Sequence, residues 1–244
     1  MAGRLLLRGM LVGAAAACLM VLFAEAFGEP AVGHAIAFES ALDRAAGMAP
    51  EPELVSRAVQ RGVGLLCACL LYGAAIGGLF SLVFAALLGR VGRIPPRVLA
   101  ALLALGGFVA LVLVPDLKYP PNPPAVGNPD TIGLRTAAYG EMMLVSLASL
   151  VLGVLAACAA LRRFGAWNAC AIGVLAWLVV ASLSQAVLPA VQEVPANFPA
   201  VLLWQFRVAS LGMQAVMWSV LGFGFGAAAE TVIGTAQPAM RGGR

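Results

Sequence analysis

The chain has 244 residues, of which 62% are apolar and only 11% charged, with a formal net charge of +4. Soluble domains carry about a quarter charged residues, so a mean hydropathy of +0.96 excludes an ordinary water-soluble domain. Long apolar runs place the chain in the membrane class instead.

A helix needs roughly 20 apolar residues to cross the bilayer core. Six stretches reach or approach that length: 5–27, 62–88, 98–115, 136–161, 168–188 and 201–229. None alternates polar and apolar residues in the manner of barrel strands. The expected fold is all-α: a polytopic transmembrane helical bundle of six spans, forming one integral membrane domain over 1–244.

The first span begins "MAGRLLLRGMLVGAAAACLMVLFAEAF", with a basic start and an Ala24-x-Ala26 that a signal peptidase could cut. Its apolar run exceeds a typical signal core, so an uncleaved helix is expected. Cleavage would leave five spans. An outer loop over 28–61 follows, and its "AFESALDRAAG" predicts a short amphipathic helix on the membrane surface. Glu39 and Asp43 share a face there, as solvated side chains commonly do. His34 is the only histidine. On a helix it does not share a face with Glu39, and a solvated loop histidine is the plainer reading beside a metal ligand.

The second span contains Gly73-x-x-x-Gly77, and Gly9-x-x-x-Gly13 and Gly222-x-x-x-Gly226 recur elsewhere. Such spacings let helix backbones approach closely in lipid. They predict seams of the bundle, and a seam with a separate subunit would make an oligomer. Cys67 and Cys69 are two apart, so on a helix their sulfurs point about 200° from one another and make a poor metal pair. All five cysteines lie in predicted spans as small apolar residues. No disulfide framework or zinc spacing is present.

After the third span comes "KYPPNPPAVGNPDTIGLRT" at 118–136. Its core, "PPNPPAV" at 120–126, shares the pattern P-x-N-x-P-A-V with "PANFPAV" at 195–201. Each string follows an apolar span ending in proline, Pro115 or Pro189, and precedes another span. That offset suggests a parallel repeat of two helical hairpins. Chance, with stiff loops favoured at any hairpin tip, is the competing account. Proline has no N–H and holds the preceding residue extended, which leaves carbonyl oxygens without local partners. Asn122, Asn197, Asp116, Asp130 and Glu193 add side-chain oxygens on the same side. Stiffly held oxygens suit transient coordination of a divalent cation. Asn128-Pro129-Asp130-Thr131 predicts a helix start, with a cap, a proline and an early acid.

Glu141 lies in the fourth span and Arg207 in the sixth. An ionisable residue in an apolar segment is a functional candidate by default. Two readings stand: Glu141 as an ion-path ligand, or Glu141 and Arg207 as a structural ion pair. Trp167 and Trp204 fall near predicted interfaces, where an amphipathic ring is favoured.

Basic residues near helix ends set orientation. With the N-terminus inside, Arg4, Arg8, Arg90, Arg93, Arg97, Arg162, Arg163, Arg241 and Arg244 face the cytoplasm. Glu29, Glu39, Asp43, Glu51, Glu53, Asp116, Asp130 and Glu193 all fall outside. Both termini are therefore expected in the cytoplasm. The positive charge is an inner rim facing membrane lipid, not a nucleic-acid patch. No G-x-x-x-x-G-K-[ST], H-E-x-x-H or G-x-S-x-G occurs, so an ATPase of the P-loop kind is excluded and no enzyme activity or cofactor is expected.

Several strings taken together resemble a known family: "RAVQRGVGLL" at 57–66, "YGAAIGGLFSLVFA" at 72–85, "LKYPPNPPAVGNPDTIGLRTAAY" at 117–139, "RRFGAWNA" at 162–169 and "EVPANFPAVLLWQFRVASLG" at 193–212. In this order they resemble the A subunit of predicted bacterial cobalt transporters, CbtA. The resemblance implies a protein of the bacterial inner membrane that imports Co²⁺ as its substrate, often linked to cobalamin synthesis. It also implies a small single-span partner, the B subunit, with a histidine-rich end. The family is usually described with five spans, against the six counted here. The alternative function is a non-transporting membrane scaffold or assembly protein.

Overall fold

The computed structural model describes residues 1–48 and 54–236. Glu51, Glu53, Arg241, Arg244 and the "APEPE" break lie outside the described residues. Every regular element among those described is helical. The α-helices are α1 (Ala2–Phe23), α2 (Glu29–Ala45), α3 (Arg57–Val59), α4 (Leu65–Leu87), α5 (Pro96–Phe108), α6 (Val114–Lys118), α7 (Ile132–Val187), α8 (Ala200–Val220) and α9 (Gly226–Ala236). Single π turns carry α1 into α2, α3 into α4, α5 into α6 and α8 into α9.

Five of the resulting rods are long and apolar enough to cross a membrane: Ala2–Ala45, Arg57–Leu87, Pro96–Lys118, Pro129–Val187 and Ala200–Gly234. The first differs from the sequence-based expectation. Residues 29–45 are not a separate loop helix but the continuation of α1, and the rod rises about 66 Å. A hydrocarbon core is about 30 Å thick, so much of this rod stands clear of it. The fourth rod is interrupted. Gly165 has φ 74° and ψ 170°, which is not helical. Glycine has no Cβ to oppose that conformation, and it splits α7 into residues 132–164 and 166–187. The stretches expected as fourth and fifth spans are these two legs.

The chain divides into two compact units, residues 1–105 with 204–244, and residues 106–203. In the first unit α1 and α4 run antiparallel with their backbones in contact. Gly9 faces Gly77 and Gly13 faces Gly73. Leu5, Ala16, Ala17 and Met20 are buried on α1, and Cys69, Phe80, Ser81 and Phe84 on α4. Lipid tails are as apolar as the helices, so contact depends on close packing and not on a hydrophobic drive. Small residues at four-residue intervals permit it. The same register continues to charged pairs: Glu25 lies 3.9 Å from Arg61 and Glu29 lies 2.5 Å from Arg57.

The α8–α9 rod joins this unit through rings and a second glycine seam. Phe225 meets Phe80 and Phe84 edge-on at centroid distances of 5.5 and 5.1 Å, an arrangement favoured by the ring quadrupoles. A Cβ at Gly222 would lie 2.9 Å from the Ala104 Cβ, and one at Gly226 would lie 3.2 Å from the Arg97 Cα. At the far end Arg97 pairs with Glu230 at 2.6 Å, and Arg8 donates to the Ala228 carbonyl at 2.8 Å.

The second unit is built on the α7 hairpin. Gly153 and Gly173 face one another, and the Trp177 Cβ would lie 2.9 Å from a Cβ at Gly153. Met142, Ser146 and Ser149 are buried on one leg and Ala181 and Ser184 on the other. The distal half of the α5–α6 rod packs on this hairpin, where Gly106 approaches the Leu150 side chain.

The two P-x-N-x-P-A-V strings do not take the same conformation. In the first, the Val126 N–H donates to the Pro123 carbonyl, closing a turn over 123–126, and Ala125 has φ 66°. In the second, the Phe198 N–H donates to the Pro195 carbonyl, and Ala200 already begins α8. The turns sit three positions apart in the shared pattern.

Candidate functional site

All the sequence-derived ligand candidates except His34 belong to the second unit: Asp116, Asn122, Asp130, Glu141, Glu193 and Asn197. Their shared position follows from the hairpin. Arg162 and Arg163 stand beside the Gly165 break, and the leg rises about 32 Å from Arg162 back to Glu141. That is close to the thickness of a hydrocarbon core. Glu141 therefore stands far from the arginines along this leg, toward the end carrying the prolines. Arg207, in the first unit, lies about 35 Å along its rod from Glu230 by the same rise.

Aromatic residues organise one part of the proline end. The Asp116 carboxylate accepts a hydrogen bond from Tyr139. Tyr119 donates its hydroxyl to the Pro189 carbonyl at 2.6 Å. Burial pushes the Tyr119 phenol above its ordinary pKa, and the negative charge of Glu141 adds to the shift. Tyr139 packs against the cluster that holds Tyr119, so Asp116 and Glu141, far apart in sequence, come to the same end of the unit. Beneath them Val114, Tyr119, Ala138, Met142 and Ala181 form a buried cluster. Two side-chain bonds tie α6, at its two ends, to the end of the second leg. Lys118 donates to the Gln185 carbonyl at 2.6 Å, and Gln185 donates to the Val114 carbonyl at 2.8 Å. The Gln185 carbonyl, in the last turn of its helix, is one of the orphans that need such a partner.

A second part surrounds Glu193. Asn128 caps the turn that starts the long leg, its Oδ1 accepting from the Asp130 N–H at 3.0 Å. This is the cap expected from the sequence. Glu193 accepts from Arg135 Nη1 at 2.5 Å and from the Thr131 hydroxyl. The Thr131 hydrogen bond, then the Arg135 charge and further bonds to Asn128 and Arg135, hold its carboxyl below the usual range in spite of burial.

The remaining candidates are more dispersed. Asn197 and Asp130 are exposed, and Asn122 is half-buried. His34 is exposed on α2 in the other unit. Among the described residues no three His, Cys, Asp or Glu side chains form a group able to hold a metal ion. Cys69 is buried and Cys67 exposed, consistent with sulfurs on opposite faces.

Reading the sequence for oxygens alone missed Tyr119, Tyr139, Thr131 and Arg135. One signal was available. Thr131 and Arg135 are four apart at a helix start, so they share a face and can reach one acceptor together. No comparable signal pointed from Tyr139 to Asp116, which lies on another rod.

No curated protein and no solved structure matches the chain. A family does: the one described as "Probable cobalt transporter subunit (CbtA)" matches residues 2–230, and the chain belongs to that family.

Proposed function

We propose that this chain is the membrane subunit through which Co²⁺ is imported, and that the proline end of the second unit is the entrance for the ion. The reading gives the chain six crossings, with each α7 leg counted as one, and a single membrane domain made of both units in the bacterial inner membrane. Leg lengths of about 50 and 33 Å support this, since each exceeds a core of about 30 Å. The excess of arginine at the opposite helix ends supports cytoplasmic termini.

The observation that carries the reading is the convergence of Asp116 and Glu141 through Tyr139 and Tyr119. It brings two carboxylates to the same end as the Pro-Asn segments. A divalent ion gains from paired negative charge and from oxygens that cannot relax away from it. Carboxylates and carbonyls are hard ligands that hold Co²⁺ less firmly than imidazole or thiolate sites hold it, which suits passage better than storage. A partner rich in histidine would concentrate the ion before it reaches this end.

Purified chain in proteoliposomes, with and without a small histidine-rich partner, should take up radioactive cobalt. Asn122→Ala and Asn197→Ala should each raise the concentration for half-maximal uptake, and their effects should be non-additive, because ligands to one ion are coupled. Strictly additive effects would reduce the loops to connectors. Absence of uptake in every combination would leave the scaffold role.

Orientation has its own check. In a background without native cysteines, a cysteine at position 196 should react from outside cells with an impermeant reagent, and one at position 240 should not. The reverse pattern would overturn the orientation.

A further inference from the structure

We propose that Arg135 and Glu193 form a strut that fixes the gap between the two Pro-Asn segments, so that Glu193 positions the entrance and is not itself an ion ligand. The inference rests on the reading of the proline end as a cation entrance.

Glu193 lies two residues before Pro195, at the approach to the second segment. Thr131 and Arg135 follow the first segment, on the opening turns of the long leg. The Glu193 side chain is only 7% exposed and Arg135 34% exposed. One carboxylate oxygen accepts from Arg135 Nη1 at 2.5 Å and the other from the Thr131 hydroxyl, and Asn128 supplies a backbone N–H. Three donors therefore occupy this carboxylate. A divalent ion would have to displace them while sitting beside a guanidinium of like sign, which electrostatics opposes. Asp116 has a neutral phenol as its partner instead, so the same obstacle does not arise there.

Backbone packing reinforces the strut. Gly127 has φ 139°, and a Cβ at that position would lie 2.6 Å from Arg135 Nη1 and 3.4 Å from Glu193 Oε2. The chain passes close to the ion pair in a backbone conformation that favours glycine. The first segment is thus held to the pair through its backbone, and the second through Glu193. Removing Arg135 leaves the buried Glu193 carboxylate uncompensated, and removing the Glu193 charge leaves the half-exposed guanidinium without its partner, so the segments should separate or shift to hydrate the remaining charge.

The test uses the full chain in a background without native cysteines, with spin labels at positions 124 and 196. Glu193→Gln and Arg135→Gln should each broaden or shift the distance distribution without cobalt present. The exchanged pair, Glu193→Arg with Arg135→Glu, should return it to the parental distribution. In uptake, each single change should raise the half-saturating cobalt concentration about tenfold, the scale of coupling within one network, with the maximal rate retained. The exchanged pair should recover most of that loss. A distribution unmoved by both single changes overturns the strut. So does a collapse of maximal uptake in Glu193→Gln with the segments still at their parental distance, which would mark a ligand. Restored distances in a chain that transports no cobalt would uphold the strut while removing the transport reading.

Discussion

Gly73→Val should abolish recovery of folded protein. On α4 this glycine stands against the backbone of Gly13. Even a bare Cβ would overlap the Gly13 carbonyl and lie 2.9 Å from the Ala17 Cβ. The obstruction is the Gly13 backbone and the Ala17 Cβ, neither of which a rotamer change can move. Overpacking a close-packed interior costs about 1–3 kcal/mol where side chains can adjust, and here the helices themselves must separate. Separation would also uncouple Glu25 from Arg61 and Glu29 from Arg57, which share the register. Gly78→Ala on the same helix is the matched control. Its Cβ would meet only Met10 Cγ and Leu6 Cδ1, at 3.3 and 3.5 Å, and both side chains are flexible. Detergent-solubilised protein should give a monodisperse peak for Gly78→Ala and none for Gly73→Val. Parental yield and melting temperature in Gly73→Val would show that this seam does not hold the unit together.

Glu141→Gln should leave the protein folded while cobalt uptake falls by more than about tenfold, a loss on the scale that even outer partners of a metal can produce. The change keeps size and polarity and removes only charge. Glu141 is exposed on the long leg and close enough to Tyr119 for its charge to act on that phenol. Its place toward the proline end of that leg suits a group that meets an ion at the proposed entrance. The competing account makes Glu141 the structural partner of Arg207. On that account Glu141→Gln lowers folded yield, and Glu141→Gln with Arg207→Gln restores both yield and uptake. Full uptake by the double variant would remove Glu141 from the ion path, because no step could then require its carboxylate. Normal folding with lost uptake in both the single and double variants would keep it there.

The strut and the tyrosines show how differently parts of one site can be read from sequence. Glu193 and Asp116 look alike in the chain, each an acid beside a proline-rich turn. Tertiary contacts separate them, giving Glu193 a cation and Asp116 a phenol. The paired P-x-N-x-P-A-V strings misled in the opposite direction. Their likeness in sequence does not extend to their turns, because Pro123 and Pro195 accept the turn hydrogen bonds from different positions in the pattern. Proline restricts φ and removes a donor, but neighbouring packing chooses which carbonyl closes a turn.

Much of this protein was fixed by local chemistry alone. Apolar length requires helices, because a backbone in lipid must satisfy its own hydrogen bonds. Glycines spaced by four mark seams wherever the helices meet, and Asn128 with Pro129 starts a helix because side-chain capping and a preset φ act within one turn. The resemblance carried by its Pro-Asn strings also stood in the sequence, and the family match agrees with it. Partnership was decided only in three dimensions. That α1 meets α4 in antiparallel register, that Tyr139 reaches Asp116, and that Arg135 claims Glu193 all depend on rods separated along the chain. Two residues that share a helix face announce themselves by spacing. Two residues on different rods meet only when packing sets the register, and no local period encodes that.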